Sequence, residues 1–217
     1  RKMRVPVNKS YGKDSSRREY DPLYDPIYES IRTLIGFTQG LFRALPDRRY
    51  AWSPDAEKTE ITITGAYPLK AETVNSRPAI VVVHGQSMYL NTTMNSLERV
   101  NNNTGNMIHR DLISSTAIFN CVAKTGPEAT AIAWFVASNL KALRAFLQRK
   151  GPFTRIAHDV TIGGESPPGS LIQDTVDGGA INVQVIVPFF IPHRWEVLNP
   201  AYQIDNIELS TSTKNNN

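Results

Sequence analysis

The sequence predicts an α+β fold, a mostly antiparallel β-sheet with two main helices packed on one face. Two observations carry this expectation. Two stretches, Asp25 to Pro46 and Thr125 to Gly151, repeat apolar residues every three or four positions. Five others either alternate or run through β-branched residues, in the order helix, strand, strand, strand, helix, strand, strand. A sheet of that kind has edges, which must be blunted or paired, and a neighbouring copy is the usual partner.

Asp25 and Pro26 form a helix start, and Ile27, Ile31, Leu34, Ile35, Leu41, Phe42 and Leu45 follow at helical spacing until Pro46 stops the run. Thr59 to Thr64 places Ile61 and Ile63 between threonines, the period-two pattern of a half-buried strand. Arg77 to Gly85 holds Ala79-Ile80-Val81-Val82-Val83, a β-branched run expected as a central strand that ends in a turn at His84-Gly85. Asn91 to Asn106, with its many asparagines, reads as an exposed loop with little fixed structure. Leu112 to Lys124 resumes as a strand and feeds the second helix directly.

That helix is the most strongly determined element. Thr125 and Glu128 have capping-box spacing, with Pro127 in the first turn. Ile132, Phe135, Val136, Leu140, Leu143 and Leu147 make one apolar face, Lys141, Arg144 and Gln148 fall off it, and Gly151 offers a left-handed cap before Pro152. Thr154 to Ile162 is expected as a further strand containing His158 and Asp159, Gly163 to Gly179 as a long loop, and Ala180 to Ile191 as the clearest alternating strand. Residues 1–20 read as a basic flexible arm, 21–198 as a single α+β domain and 199–217 as a polar tail.

With 217 residues, 41% of them hydrophobic, the chain can bury a core. No apolar run approaches the roughly 20 residues that cross a bilayer, so a soluble protein made in a reducing cytoplasm is expected. The lone Cys121 leaves no intrachain disulfide. The net charge of +4 is concentrated in the arm, where seven Lys or Arg stand against Asp14 and Glu19 between Arg1 and Glu19. Such an arm can strap onto a neighbouring subunit, remain a solvated tail or touch nucleic acid.

Chemistry is sparse. Val81-Val82-Val83-His84-Gly85-Gln86-Ser87 is similar to the strand and His-Gly turn of α/β-hydrolases, but the Gly-x-Ser-x-Gly elbow of that fold is absent and Ser87 is followed by Met88 and Tyr89. His84, His109, His158 and His193 lie in four separate segments without a metal-ligand spacing, and no phosphate-binding glycine motif occurs. No catalytic residue, metal or cofactor is therefore expected.

An amphipathic N-terminal helix, two or three strands, a strand running straight into a long helix (Ile118 to Leu147) and two closing strands around a long loop resemble the tail-terminator, or tail-completion, proteins of tailed bacteriophages, over about residues 22–195. The resemblance lies in element order. It implies a virion structural protein, made in the host cytoplasm. Copies of it would form a hexameric ring that caps the tail tube and joins it to the head connector, leaving a lumen through which DNA passes without sequence-specific contact. Contacts to sister subunits or partners are then expected at Arg4, Lys9, Arg17 and Arg18 of the arm, at Asn101 and Asn103, at Lys141 and Arg144 on the helix, and at Pro167, Asp174 and Asp177 in the long loop. The alternatives are a nucleic-acid-binding module using the arm and a hydrolase around His84-Gly85-Gln86-Ser87.

Overall fold

The first helix begins where its sequence requires. In this computed structural model, which describes residues 25–45, 48–65, 69–70, 76–91, 97–100, 105–168, 172–173 and 179–197, the Asp25 carboxylate accepts from the backbone N–H groups of Ile27 (2.9 Å) and Tyr28 (3.0 Å). This satisfies two of the N–H groups that α1 (Pro26–Arg43) leaves without internal partners. Ile31, Leu34 and Phe42 are buried, and the buried hydroxyls of Ser30 and Thr38 donate to the carbonyls of Pro26 (2.7 Å) and Leu34 (2.8 Å).

The sheet is mixed and mostly antiparallel, so the α+β class holds. Its order is β1 (Thr62–Thr64), β3 (Ala79–Asn91), β5 (Met107–Ala123), β9 (Ile181–Val197) and β6 (Arg155–Ile156), with β4 (Leu97–Val100) paired to β5 and β7 (Thr161–Ile162) paired to β9. Only β1 runs parallel to its neighbour here, Thr62 opposite Ala79 and Thr64 opposite Val81. A separate parallel pair joins β2 (Leu69–Lys70) to β8 (Ile172–Gln173). The described residues of the stretch expected as one domain fall into two compact units, one within Asp25–Leu90 and Leu112–Pro192, the other within Asn91–Asp111 and 193–197.

Several expectations are corrected. β3 does not turn at His84-Gly85 but continues to Asn91, because β5 remains beside it: Gly85 lies against the Thr116 side chain so closely that no Cβ would fit. The asparagine-rich stretch is not all loop. Its centre forms β4, which returns along β5 with Leu97 opposite His109 and Val100 opposite Met107. The strand expected over 154–162 is two short ones. Arg155 and Ile156 face Phe190 and Phe189, and Thr161 and Ile162 face Ile186 and Val185. Between them residues 157–160 stand against only 187–188, and the excess is thrown out at Ala157, which takes φ 55°. His158 and Asp159 therefore sit exposed in a bend.

The second helix is also not continuous. It divides into α2 (Gly126–Ala142) and α3 (Arg144–Lys150) at Leu143, whose ψ is 14°. The Asn139 side chain donates to the Phe135 carbonyl (2.8 Å), a back-bond of the kind that bends helices, and the Phe146 N–H closes a tight turn onto Leu143 (3.0 Å). Leu143 consequently leaves the buried stripe. The capping box does not form either: Thr125 makes no side-chain cap, and Glu128 accepts from the Tyr50 hydroxyl (3.3 Å). The acid at this helix end is Glu165, whose carboxylate lies in the space a Gly126 side chain would fill and accepts from Thr130 Oγ1 (3.3 Å), where the helix dipole favours negative charge. Gly151 is extended rather than left-handed (φ −103°, ψ −179°). What demands glycine there is space, since a Cβ would crowd the Leu147 carbonyl and the Phe153 ring.

One core cluster joins Leu34 and Phe42 of α1, Val136 and Leu140 of α2 and Leu147 of α3 to alternate residues of the strands, among them Phe119, Cys121, Val185, Val187 and Phe189. A smaller one gathers Ala79, Val81, Val122 and Ala180. Leu140 is fully buried while Leu143 is 37% exposed. Leu140→Ala is therefore expected to lower unfolding free energy by about 2–5 kcal/mol and Leu143→Ala by about 1 kcal/mol or less, as read by denaturant titration. Equal losses at both positions would mean that the helix is straight.

Candidate functional site

A surface helix of a globular chain is ordinarily polar on its outer side. α2 is not. Ala129, Ile132, Ala133, Val136, Ala137 and Leu140 are buried, yet Ala131 and Trp134 are exposed, Trp134 to 60%. Leu143 and Phe146 past the bend are exposed as well, and Phe146 on α3 leans on Phe37 of α1 at a ring separation of 6.4 Å. An indole that is three-fifths bare leaves roughly 2–4 kcal/mol of burial energy unused. Lys141 and Arg144, both exposed, flank the bend, and Lys141 stands two turns after Trp134 on the same stripe. Pro167, also exposed, follows Glu165 at the opposite end of α2. The other residues singled out from sequence, Arg4, Lys9, Arg17, Arg18, Asn101, Asn103, Asp174 and Asp177, lie outside the described residues. Sequence reasoning missed Trp134 because it treated the helix as one-sided; a tryptophan off the apolar stripe was the available signal.

A second feature opens between α1 and the start of the sheet. A cavity of about 570 Å³ is walled by Ile27, Ile31, Ile35, Gly65, Val82 and Val83, with Asp25, Tyr28, Arg32 and His84 as its exposed polar members. Its volume lies within the range of about 300–1,000 Å³ in which ligand and docking pockets fall. Two carboxylates, Asp25 and the adjacent Glu29, stand near one guanidinium, Arg32, which lies 4.0 Å from Glu29.

His84 also takes part in a short polar chain that sequence spacing did not suggest. Its Nε2 is 2.6 Å from Ser87 Oγ, which in turn is 2.8 Å from the Oγ of buried Ser115. A His and a Ser three apart on an evenly alternating strand point to opposite sides, so their contact marks a local slip in β3. The arrangement differs from an activated nucleophile in two respects. Ser87 lies within a strand instead of on a strand-to-helix elbow, and its other bond leads to a hydroxyl instead of placing a carboxylate behind the imidazole. What it does is fasten β3 to β5.

The smaller unit has its own organisation. Arg194 of β9 grips the Glu98 carboxylate of β4 with two N–H groups, one at 2.8 Å, and these hydrogen bonds, seconded by its charge, hold Glu98 below the usual carboxylate range. Trp195 is stacked between His109 and His193, each 5.3 Å away. The two histidines, remote in sequence, are thus brought together with an indole between them, and among the described residues no group of His, Cys, Asp or Glu could hold a metal. Burial pushes the His193 imidazole down from its ordinary value, with Asp111 acting in the opposite sense.

Compared with known proteins, the chain matches no family model and no curated sequence.

The depressed His193 has a defined consequence. Its folded-state value lies below the ordinary 6.5, so the unfolded chain takes up a proton first and stability falls as pH drops through about 6.5. The melting temperature of the wild type should decline between pH 7.5 and 5.5 by more than that of His193→Gln. An identical decline in both would show that His193 contributes nothing.

Proposed function

We propose that this chain is a ring-forming structural subunit at the head-to-tail junction of a tailed bacteriophage, a tail terminator or neck protein that caps the tail tube, joins it to the head connector and leaves a channel for DNA. The observation that carries the proposal is the outer side of α2, where an apolar surface around Trp134 is bare in the single chain and is of the kind that a neighbouring subunit covers. The order of elements supports it, as does a sheet whose ends, β1 on one side and β6 with β7 on the other, carry no further strand among the described residues. On this reading no catalytic step, metal or cofactor is involved; the work is docking, and Lys141, Arg144 and Pro167 are surface positions suited to it.

Light scattering on the purified chain, alone and with tail-tube subunits, tests the proposal. A hexamer of the 24.2 kDa chain is the expected species in at least the second sample, and a monomer in both would overturn it. Arg144→Glu should leave melting nearly unchanged, since exposed charge changes are worth about 0.5 kcal/mol or less, and should lower the fraction assembled.

The 2.6 Å contact between His84 and Ser87 favours one second reading, an esterase. Hydrolysis of p-nitrophenyl acetate by the wild type, lost in Ser87→Ala, would establish it. Equal background rates for the two proteins are the expected result.

A further inference from the structure

We propose that copies of this chain dock head to tail, with Trp134 of one copy seated in the α1 cavity of the next. The inference rests on the ring reading above and specifies how its subunits meet.

The two features are complementary in shape. Trp134 is a large apolar side chain standing 60% exposed, and the cavity is an apolar space of about 570 Å³ floored by Ile27, Ile31 and Ile35. Tryptophan is among the residues enriched at the energetic centres of protein interfaces, where such side chains fill well-packed pockets. They also match in charge. Lys141 lies on the Trp134 stripe, and Arg144 lies just past the bend. Asp25 and Arg32 belong to the cavity lining, and Glu29, one turn after Asp25 on α1, stands 4.0 Å from Arg32, so this end of α1 carries two carboxylates against one guanidinium.

Placement in the fold makes the contact intermolecular. Trp134 follows Thr130 by one turn, and Thr130 bonds to Glu165 in the chain just after β7, so Trp134 sits on the side of α2 towards the β7 end of the sheet. α1 instead packs beside β1, the strand at the opposite end. Knob and hole therefore lie at opposite edges of one sheet. A copy cannot satisfy its own cavity, and two copies joined this way still present one free knob and one free hole. That is a heterologous contact, which closes into a ring when the rotation per step permits.

The test places the photo-reactive residue p-benzoylphenylalanine at position 134 of the full chain and mixes ordinary with isotope-labelled copies before irradiation. Mass spectrometry should find mixed-isotope cross-links to peptides spanning Asp25–Ile35. In parallel, Trp134→Ala should weaken self-association about 30-fold or more with melting unchanged. If the wild type assembles but the cross-links fall elsewhere, or join position 134 to position 134, the docking mode is overturned while the ring reading survives. An unaltered association constant in Trp134→Ala has the same meaning. A wild type that stays monomeric both alone and with tail-tube subunits, and yields no cross-link between copies in either sample, overturns both.

Discussion

The register between β5 and β9 is the constraint on which the rest of the molecule depends. Each strand has 17 residues, and their alternate positions supply Phe119, Cys121, Val185, Val187 and Phe189 to the main core. On the other side, the buried Asn120 side chain accepts from the amides of Asn182 (3.3 Å) and Gln184 (3.0 Å) and donates to the Val81 carbonyl on β3 (3.4 Å). Three strands are thus clasped at one amide. A slip of one residue would turn Asn120 towards the phenylalanines and leave its polar atoms without partners, at about 1–3 kcal/mol for each buried group. Apolar alternation alone would permit other registers two residues away, whereas the amide cluster admits one.

From that frame the helices acquire their positions. β5 delivers the chain into α2, α3 returns it to β6, and because β5 and β6 both run antiparallel to the intervening β9, the connection is a crossover between parallel strands. The bend at Leu143 lets the return leg lie against β6 with Leu147 still buried. The same bend leaves Leu143 and Phe146 partly exposed, on the side where Phe146 meets Phe37 of α1.

What could be read from the sequence was what neighbouring residues determine. Asp25 and Pro26 start α1 through contacts two and three residues away, and β9 announces itself by strict alternation. What could not be read depended on distant partners. The acid that sits at the start of α2 is Glu165, which comes from beyond β7, so the local Thr125 and Glu128 pattern was a false signal. Gly85 resembles a turn residue until Thr116 is placed against it across the sheet, and the split at Ala157 appears only once Phe189 and Ile186 fix both ends of the segment. The site was legible to a similar degree. Lys141 and Arg144 were correctly expected off the apolar stripe, but Trp134 and the cavity under α1 required the tertiary arrangement.

Cys121 has a consequence for the chemistry of the whole chain. It is fully buried between two core strands, and burial pushes its thiol up to about 12, so the thiolate that attacks disulfides or alkylating reagents is essentially unpopulated at neutral pH. Disulfide exchange through this cysteine is therefore closed to the folded chain, whatever the redox state of the surroundings. For the same reason the folded protein is a nearly blank background for thiol labelling: a cysteine introduced on its surface competes with no native one.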